Sequence, residues 1–116
     1  MEELDVNSHL LKEDLFRLFK IQLKKDFEGA GANADFADTL PREFDVLKTF
    51  IMRQLEPLLK NNGSLIASLL YRIDISEMQL QHYQLKNPAL SFDETLAELI
   101  IKRILQKVIL KKTFSK

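Results

Sequence analysis

Two histidines, His9 and His82, a few serines and one glutamate, Glu77, are the side chains from which this chain could build chemistry. Metal sites in helical proteins need ligands a turn apart: di-iron bundles place Glu and His three residues apart, so that both project inward. His9 has Glu13 four residues on and His82 has Met78 four residues back, so neither supplies that pair. His9 is read as an exposed residue near a helix start, His82 as a packed or interface residue. Ser8, Ser64 and Ser91 stand where helix caps or turns are expected, and that use accounts for them. The chain has no nucleophile elbow, phosphate-binding loop or dinucleotide fingerprint. It also has no cysteine, which excludes disulfides, zinc thiolates and thiol nucleophiles. Acid–base chemistry would fall to carboxylates alone. No catalytic residue, cofactor or metal ligand is assigned, and the reading favours a non-enzymatic module.

Glu77 is the carboxylate to follow. At helical spacing it projects toward the apolar side that holds Leu70 and Ile73, with Arg72 and Asp74 close by in Tyr71-Arg72-Ile73-Asp74-Ile75-Ser76-Glu77. A carboxylate entering a core must be paired or protonated. The reading preferred is an interhelix ion pair to Arg103 or Lys107. The alternative is a pocket around Glu77, with Tyr71 or Arg72 beside it, in a small ligand-binding protein or enzyme.

Charge is balanced overall, 17 basic against 17 acidic residues, but unevenly placed. Residues 1–58 hold 8 Lys/Arg against 12 Asp/Glu, and residues 59–116 hold 9 against 5, so the halves carry −4 and +4. Lys102, Arg103, Lys107, Lys111, Lys112 and Lys116 crowd the C-terminal segment, which lacks acidic residues from Leu99 onward. Phosphate-backbone binding wants such clustering, but single-strand binding also wants aromatic platforms, and only Phe114 is at hand. Solvated helix surface, complementing a terminal dipole, is preferred to weak nucleic-acid binding.

The elements that would hold these groups are helices. Gly and Pro number three each, and Leu, Ile, Lys, Glu and Gln dominate, a composition that favours helix. A chain of 116 residues is the size of one domain. Four segments read at helical period: about 9–28, 41–60, 65–84 and 92–112. In the first, Leu11, Leu15, Leu18, Phe19, Leu23 and Phe27 share a face, with Asn7 or Ser8 as cap and Gly29 as terminator. Residues 29–40 form the one long break, from which Phe36 and Leu40 should tuck into the core. The second helix should start near Pro41 and kink or stop at Pro57. Ser91 and Glu94 make a capping box for the fourth helix.

The third helix carries a main face of Ile66, Leu69, Leu70, Ile73 and Leu80, and nearly opposite it Tyr71, Ile75, Met78 and His82. In the fourth, Leu96, Leu99 and Leu110 stand opposite Ala97, Ile100, Ile101, Ile104, Leu105, Val108 and Ile109. A helix with two apolar sides is either central in its own bundle or covered by another subunit.

The run Leu69–Glu77, followed by Leu96-Ala97-Glu98-Leu99-Ile100 and Lys102-Arg103, resembles segments of small uncharacterised all-helical proteins of Bacteroidetes-type bacteria. That resemblance implies a bacterial source and brings no activity, cofactor or catalytic residue.

The expectation is therefore an all-α four-helix bundle, mostly antiparallel, with a long loop between helices 1 and 2. It self-associates as a homodimer or binds a protein partner. The interface would use Tyr71, Ile75, Met78 and His82, with Leu99 and Leu110 contributing. An acidic start and the lack of a long apolar run point to a cytoplasmic protein.

Overall fold

The computed structural model describes residues 6–114. Six α-helices are present among them: α1 (Val6–Leu11), α2 (Glu13–Gly29), α3 (Phe44–Asn61), α4 (Gly63–Ile73), α5 (Glu77–Lys86) and α6 (Phe92–Phe114). A 3-10 turn at Asp35–Thr39 lies between α2 and α3, and no strand occurs among the described residues, so the fold is all-α. Lys116 of the expected basic cluster lies outside the described residues.

Two of the four expected helices are divided, each for a local reason. The segment 9–28 breaks at Lys12, whose extended backbone (φ −76°, ψ 121°) precedes a fresh helix opening on Glu13 and Asp14. Carboxylates suit the positive end of a helix dipole, which favours a new start there. The break also shifts the apolar phase, so that Leu10 is fully buried while Leu11, expected inside, is exposed.

The segment 65–84 breaks at Asp74-Ile75-Ser76. Asp74 is left-handed (φ 69°, ψ 53°), a conformation that Asp tolerates better than most residues. Its N–H donates to the Tyr71 carbonyl at 3.2 Å and that of Ile75 to the Leu70 carbonyl at 2.9 Å, the paired bonds of a Schellman termination. Ser76 then opens α5 with a complete capping box: its Oγ accepts from the Gln79 N–H at 3.1 Å, and Gln79 Oε1 accepts from the Ser76 N–H at 2.7 Å.

Other boundaries move for similar reasons. Leu40, ahead of Pro41, is extended, as the proline ring demands, and α3 begins only at Phe44. Pro57 does not stop α3, which runs on to Asn61. Gly29 stays helical, and the positive φ after α2 belongs to Gly31 instead (φ 99°). In the loop that follows, Leu40 is buried and Phe36 meets Phe27 edge-on at 5.2 Å.

α6 is the axis of the core. Leu96, Ala97, Leu99, Ile100, Ile101, Ile104, Leu105 and Val108 are all buried, around most of its circumference. α2, α3, α4 and α5 each pack against it. Phe19, Leu23 and Phe27 of α2, Leu47, Ile51 and Leu55 of α3, and Leu69 and Ile73 of α4 are fully buried with it in one cluster. The radius of gyration, 13.5 Å, matches the roughly 13 Å of a compact domain of about 100 residues. No helix among the described residues is long and apolar enough to cross a membrane.

Candidate functional site

Dividing the third segment scatters the residues expected on its second stripe. Tyr71 stays on α4, 87% exposed, while Ile75 sits in the Schellman turn and is buried at 6%. Met78, 71% exposed, and His82, also exposed, lie on α5. Leu99 is buried at 8% within this one chain, and Leu110 is exposed. Ile75 and Leu99 are thus corrected from interface to core. The turn after α4 swings Ile75 inward, and Leu99 is buried on a helix against which four others pack.

α5 presents the clearest unpartnered apolar face. Only Leu80 of its ten residues is buried. Met78, His82 and Leu85 recur at i, i+4 and i+7, one face of a helix, and Leu85 is 78% exposed. Leu85 and the exposed Phe92 of α6 border a shallow groove of about 410 Å³ floored by Leu80 and edged by Gln81 and Gln84. Leu85 lies just beyond the expected third helix, and Phe92 falls inside the Ser91–Glu94 capping box. Both were visible in the sequence as apolar residues bracketing Asn87-Pro88.

The polar side of α5 is anchored rather than free. Tyr83 Oη donates to Glu98 Oε1 at 2.6 Å, and Lys48 Nζ of α3 bridges Glu98 at 3.0 Å and Glu94 at 3.3 Å. Burial is the largest single influence on Lys48 and pulls its pKa down, yet Glu98 and Glu94 together outweigh it and leave the ammonium above its ordinary 10.5. Glu94 is held below its ordinary 4.5, first by the Ser91 backbone N–H that completes the α6 capping box and then by Lys48. Gln84 links the same region by accepting from Thr95 Oγ1 at 3.0 Å.

Glu77, expected to be a buried charge, is exposed at the first turn of α5. The αL residue at Asp74 turns α5 away from the axis of α4, so the helical phase that aimed Glu77 inward is lost. Arg103, half-buried, pairs with Asp74 at 2.9 Å and donates to Gln106 at 3.1 Å, while its Nε is buried without a partner among the described residues. Lys107, the other partner expected for Glu77, bonds Asp26 at 2.9 Å.

Asp26 is the buried carboxylate that sequence reasoning missed, 3% exposed on the inner side of α2. Its Oδ1 accepts from Gln22 Nε2 at 3.1 Å, and Gln22 Oε1 accepts from Lys111 at 2.8 Å. Lys107 also donates to the Arg72 carbonyl at 3.0 Å, tying α4 into the network. The signal was present: Gln22 and Asp26 flank Leu23 and Phe27, on a face that must be buried.

This network lies at a cleft of about 660 Å³ between α2, α4 and α6, walled by Tyr71, Arg72, Asp74 and Ser76 on one side and Lys25, Lys107 and Lys111 on the other. Glu77 is not among its walls, so this cleft is distinct from the pocket expected around that residue. The basic residues of α6 are largely spoken for: Arg103, Lys107 and Lys112 pair with Asp74, Asp26 and Asp14, and Lys102 sits 4.8 Å above the Tyr83 ring. No group of three or more His, Cys, Asp or Glu is placed to hold a metal ion among the described residues.

In comparisons with known proteins, no family model, no curated protein and no solved structure matches this chain.

Proposed function

We propose that this protein is a non-enzymatic helical interaction module whose contact surface is the outer face of α5 with the start of α6, and that the face is covered by a second copy of the chain. The observation that carries the reading is the row Met78, His82 and Leu85 on a helix whose one buried residue is Leu80. Scattered exposed apolar residues are normal on a monomer; a row of them beside the Leu80–Leu85–Phe92 groove is the kind of patch that interaction surfaces use. Met adapts its shape to a facing surface, which suits the contact. Tyr71 of α4 and Leu110, about 27 Å along α6 from Phe92, are exposed as well but do not line this groove, so the proposed contact does not depend on them. The four main helical segments, α2, α3, α4–α5 and α6, are proposed to form a mostly antiparallel four-helix bundle around α6.

The size of the face sets the strength of the contact. A standard stable interface buries about 800 Å² per partner, whereas a ten-residue helix is only about 15 Å long. The association is accordingly concentration-dependent rather than permanent. Size-exclusion chromatography with light scattering tests it: the wild-type mass should climb toward the dimer with concentration, and Met78→Glu/Leu85→Glu should stay monomeric with unchanged helical content. A wild type that remains monomeric at every concentration, or a double variant that dimerises equally well, would overturn the reading.

A further inference from the structure

The cleft between α2, α4 and α6 holds more positive charge than its carboxylates neutralise. Lys25, Arg72, Lys107 and Lys111 line it, against Asp26 and Asp74. Each carboxylate is already matched, Asp26 by Lys107 and Asp74 by Arg103. Lys25, Arg72 and Lys111 are left with no carboxylate in ion-pair contact among the described residues.

One of these cations is anchored by a hydrogen bond and another rests against backbone. Lys111 spends one N–H on Gln22, itself buried and fixed by Asp26, and keeps two donors. The Arg72 guanidinium lies against the backbone of Gly29 so closely that a Cβ there would collide with it. A planar five-donor group is thus set beside the C-terminal end of α2, whose dipole favours a cation.

We propose that this cleft binds a small phosphorylated molecule, with its phosphate oxygens held between Arg72, Lys111 and Lys25. Three cations around one site exceed what a single carboxylate calls for and fit a group carrying several charges. A guanidinium fork beside two ammonium groups suits phosphate oxygens. The volume falls within the roughly 300–1,000 Å³ of small-molecule sites. A polymer is disfavoured because the remaining cations of the described part of α6 are engaged by Asp74, Asp14 and the Tyr83 ring, which leaves no continuous basic track along it among the described residues. The inference goes beyond the association reading: the cleft shares no lining residue with the α5 groove, so either can fail alone.

Calorimetric titration of the full chain with sodium pyrophosphate at low salt tests the site. Saturable binding of one pyrophosphate per chain is expected, weakening as salt rises. Arg72→Gln and Lys111→Gln should each lower the affinity about tenfold or more, the loss of one charge-assisted contact. Gly29→Ala keeps every charge but displaces the guanidinium, and should weaken binding as well. Lys60→Gln removes a cation from the far end of α3 and should change nothing. Circular dichroism checks that each variant folds. Absence of pyrophosphate binding to the wild type would overturn the proposal, as would an equal loss in Lys60→Gln. So would a single-stranded oligonucleotide that binds more tightly than pyrophosphate and is indifferent to Arg72→Gln.

Discussion

α6 and α5 both carry apolar residues on more than one side, and they dispose of them differently. α6 lies among α2, α3, α4 and α5, so Leu96 and Leu99 are buried as surely as Ile100 and Ile104 on its principal face. α5 rests on α6 at the margin of the domain, and its outer residues Met78 and Leu85 meet no other part of the described chain closely enough to be buried. The number of neighbours decides the outcome. A two-sided helix at the centre is satisfied by its own fold, whereas one at the edge leaves an uncovered face. Only the second can argue for a partner.

The contrast predicts unequal costs for similar truncations. Ile100→Ala should destabilise the protein by about 2–5 kcal/mol in urea unfolding, since a fully buried side chain leaves a cavity. Leu85→Ala should stay within about 0.5 kcal/mol at concentrations where the chain is monomeric. A large cost at Leu85 would mean that α5 is covered after all, and would remove the contrast.

The next effect sharpens the division by testing what ties α6 to α2. Asp26→Ala takes the carboxylate from Lys107, which keeps only the Arg72 carbonyl, and the acceptor from the Gln22 amide, and should cost about 1–3 kcal/mol. Asp26→Leu with Lys107→Met should recover most of that loss, because an apolar pair of similar size needs no compensation for burial. A double variant no more stable than Asp26→Ala would show that the pair contributes more than its own satisfaction.

Ser76→Ala probes the edge helix. It removes the cap on the first turn of α5 and should cost about 1 kcal/mol. Hydrogen exchange should show the loss at the start of α5 while the amides of α6 keep their protection. Uniform loss across both helices would make α5 and α6 one cooperative unit.

The smallest effect is on pH dependence, through the Lys48 contact that joins α3 to α6. Glu94 is held below 4.5 in the folded protein, so its contribution is complete above pH 4.5 and is lost as pH falls through the lower folded value. Lys48 is raised above 10.5, so its contribution is complete below pH 10.5 and is lost as pH rises through the higher folded value. Urea midpoints against pH should therefore sag at both ends, and Glu94→Gln should lessen the acid-side fall. An unchanged acid limb would assign that fall to other carboxylates.

Some signals for the candidate sites were legible and some were not. Ser76-Glu77-Met78-Gln79 has the form of a capping box as plainly as Ser91-Phe92-Asp93-Glu94 does, and it announces a helix start in the middle of what periodicity joins into one segment. Read that way, it separates Tyr71 from Met78 and takes Glu77 off the core face. Asp26 was legible from its spacing to Leu23 and Phe27. That its partner would be Lys107, 81 residues away, was not, because nothing local fixes which helices become neighbours. The cleft falls in the same class: Lys25, Arg72 and Lys111 come from three helices and share a site only once these pack.

The sequence by itself determined that the chain is helical, where α6 begins and most of the apolar residues on the main helix faces that are hidden, such as Phe19, Leu23, Ile51, Leu69 and Ile104. Helix propensity, apolar period and capping act over a turn or two of chain, and a linear reading contains all of that. Tertiary structure alone decided which apolar sides find cover. Burial depends on how many helices surround a given one, and that depends on the turn at Asp74 and on pairings far apart in the chain. For this reason Leu99 lies within the core and Leu85 on the surface, though both are leucines on helices with two apolar sides.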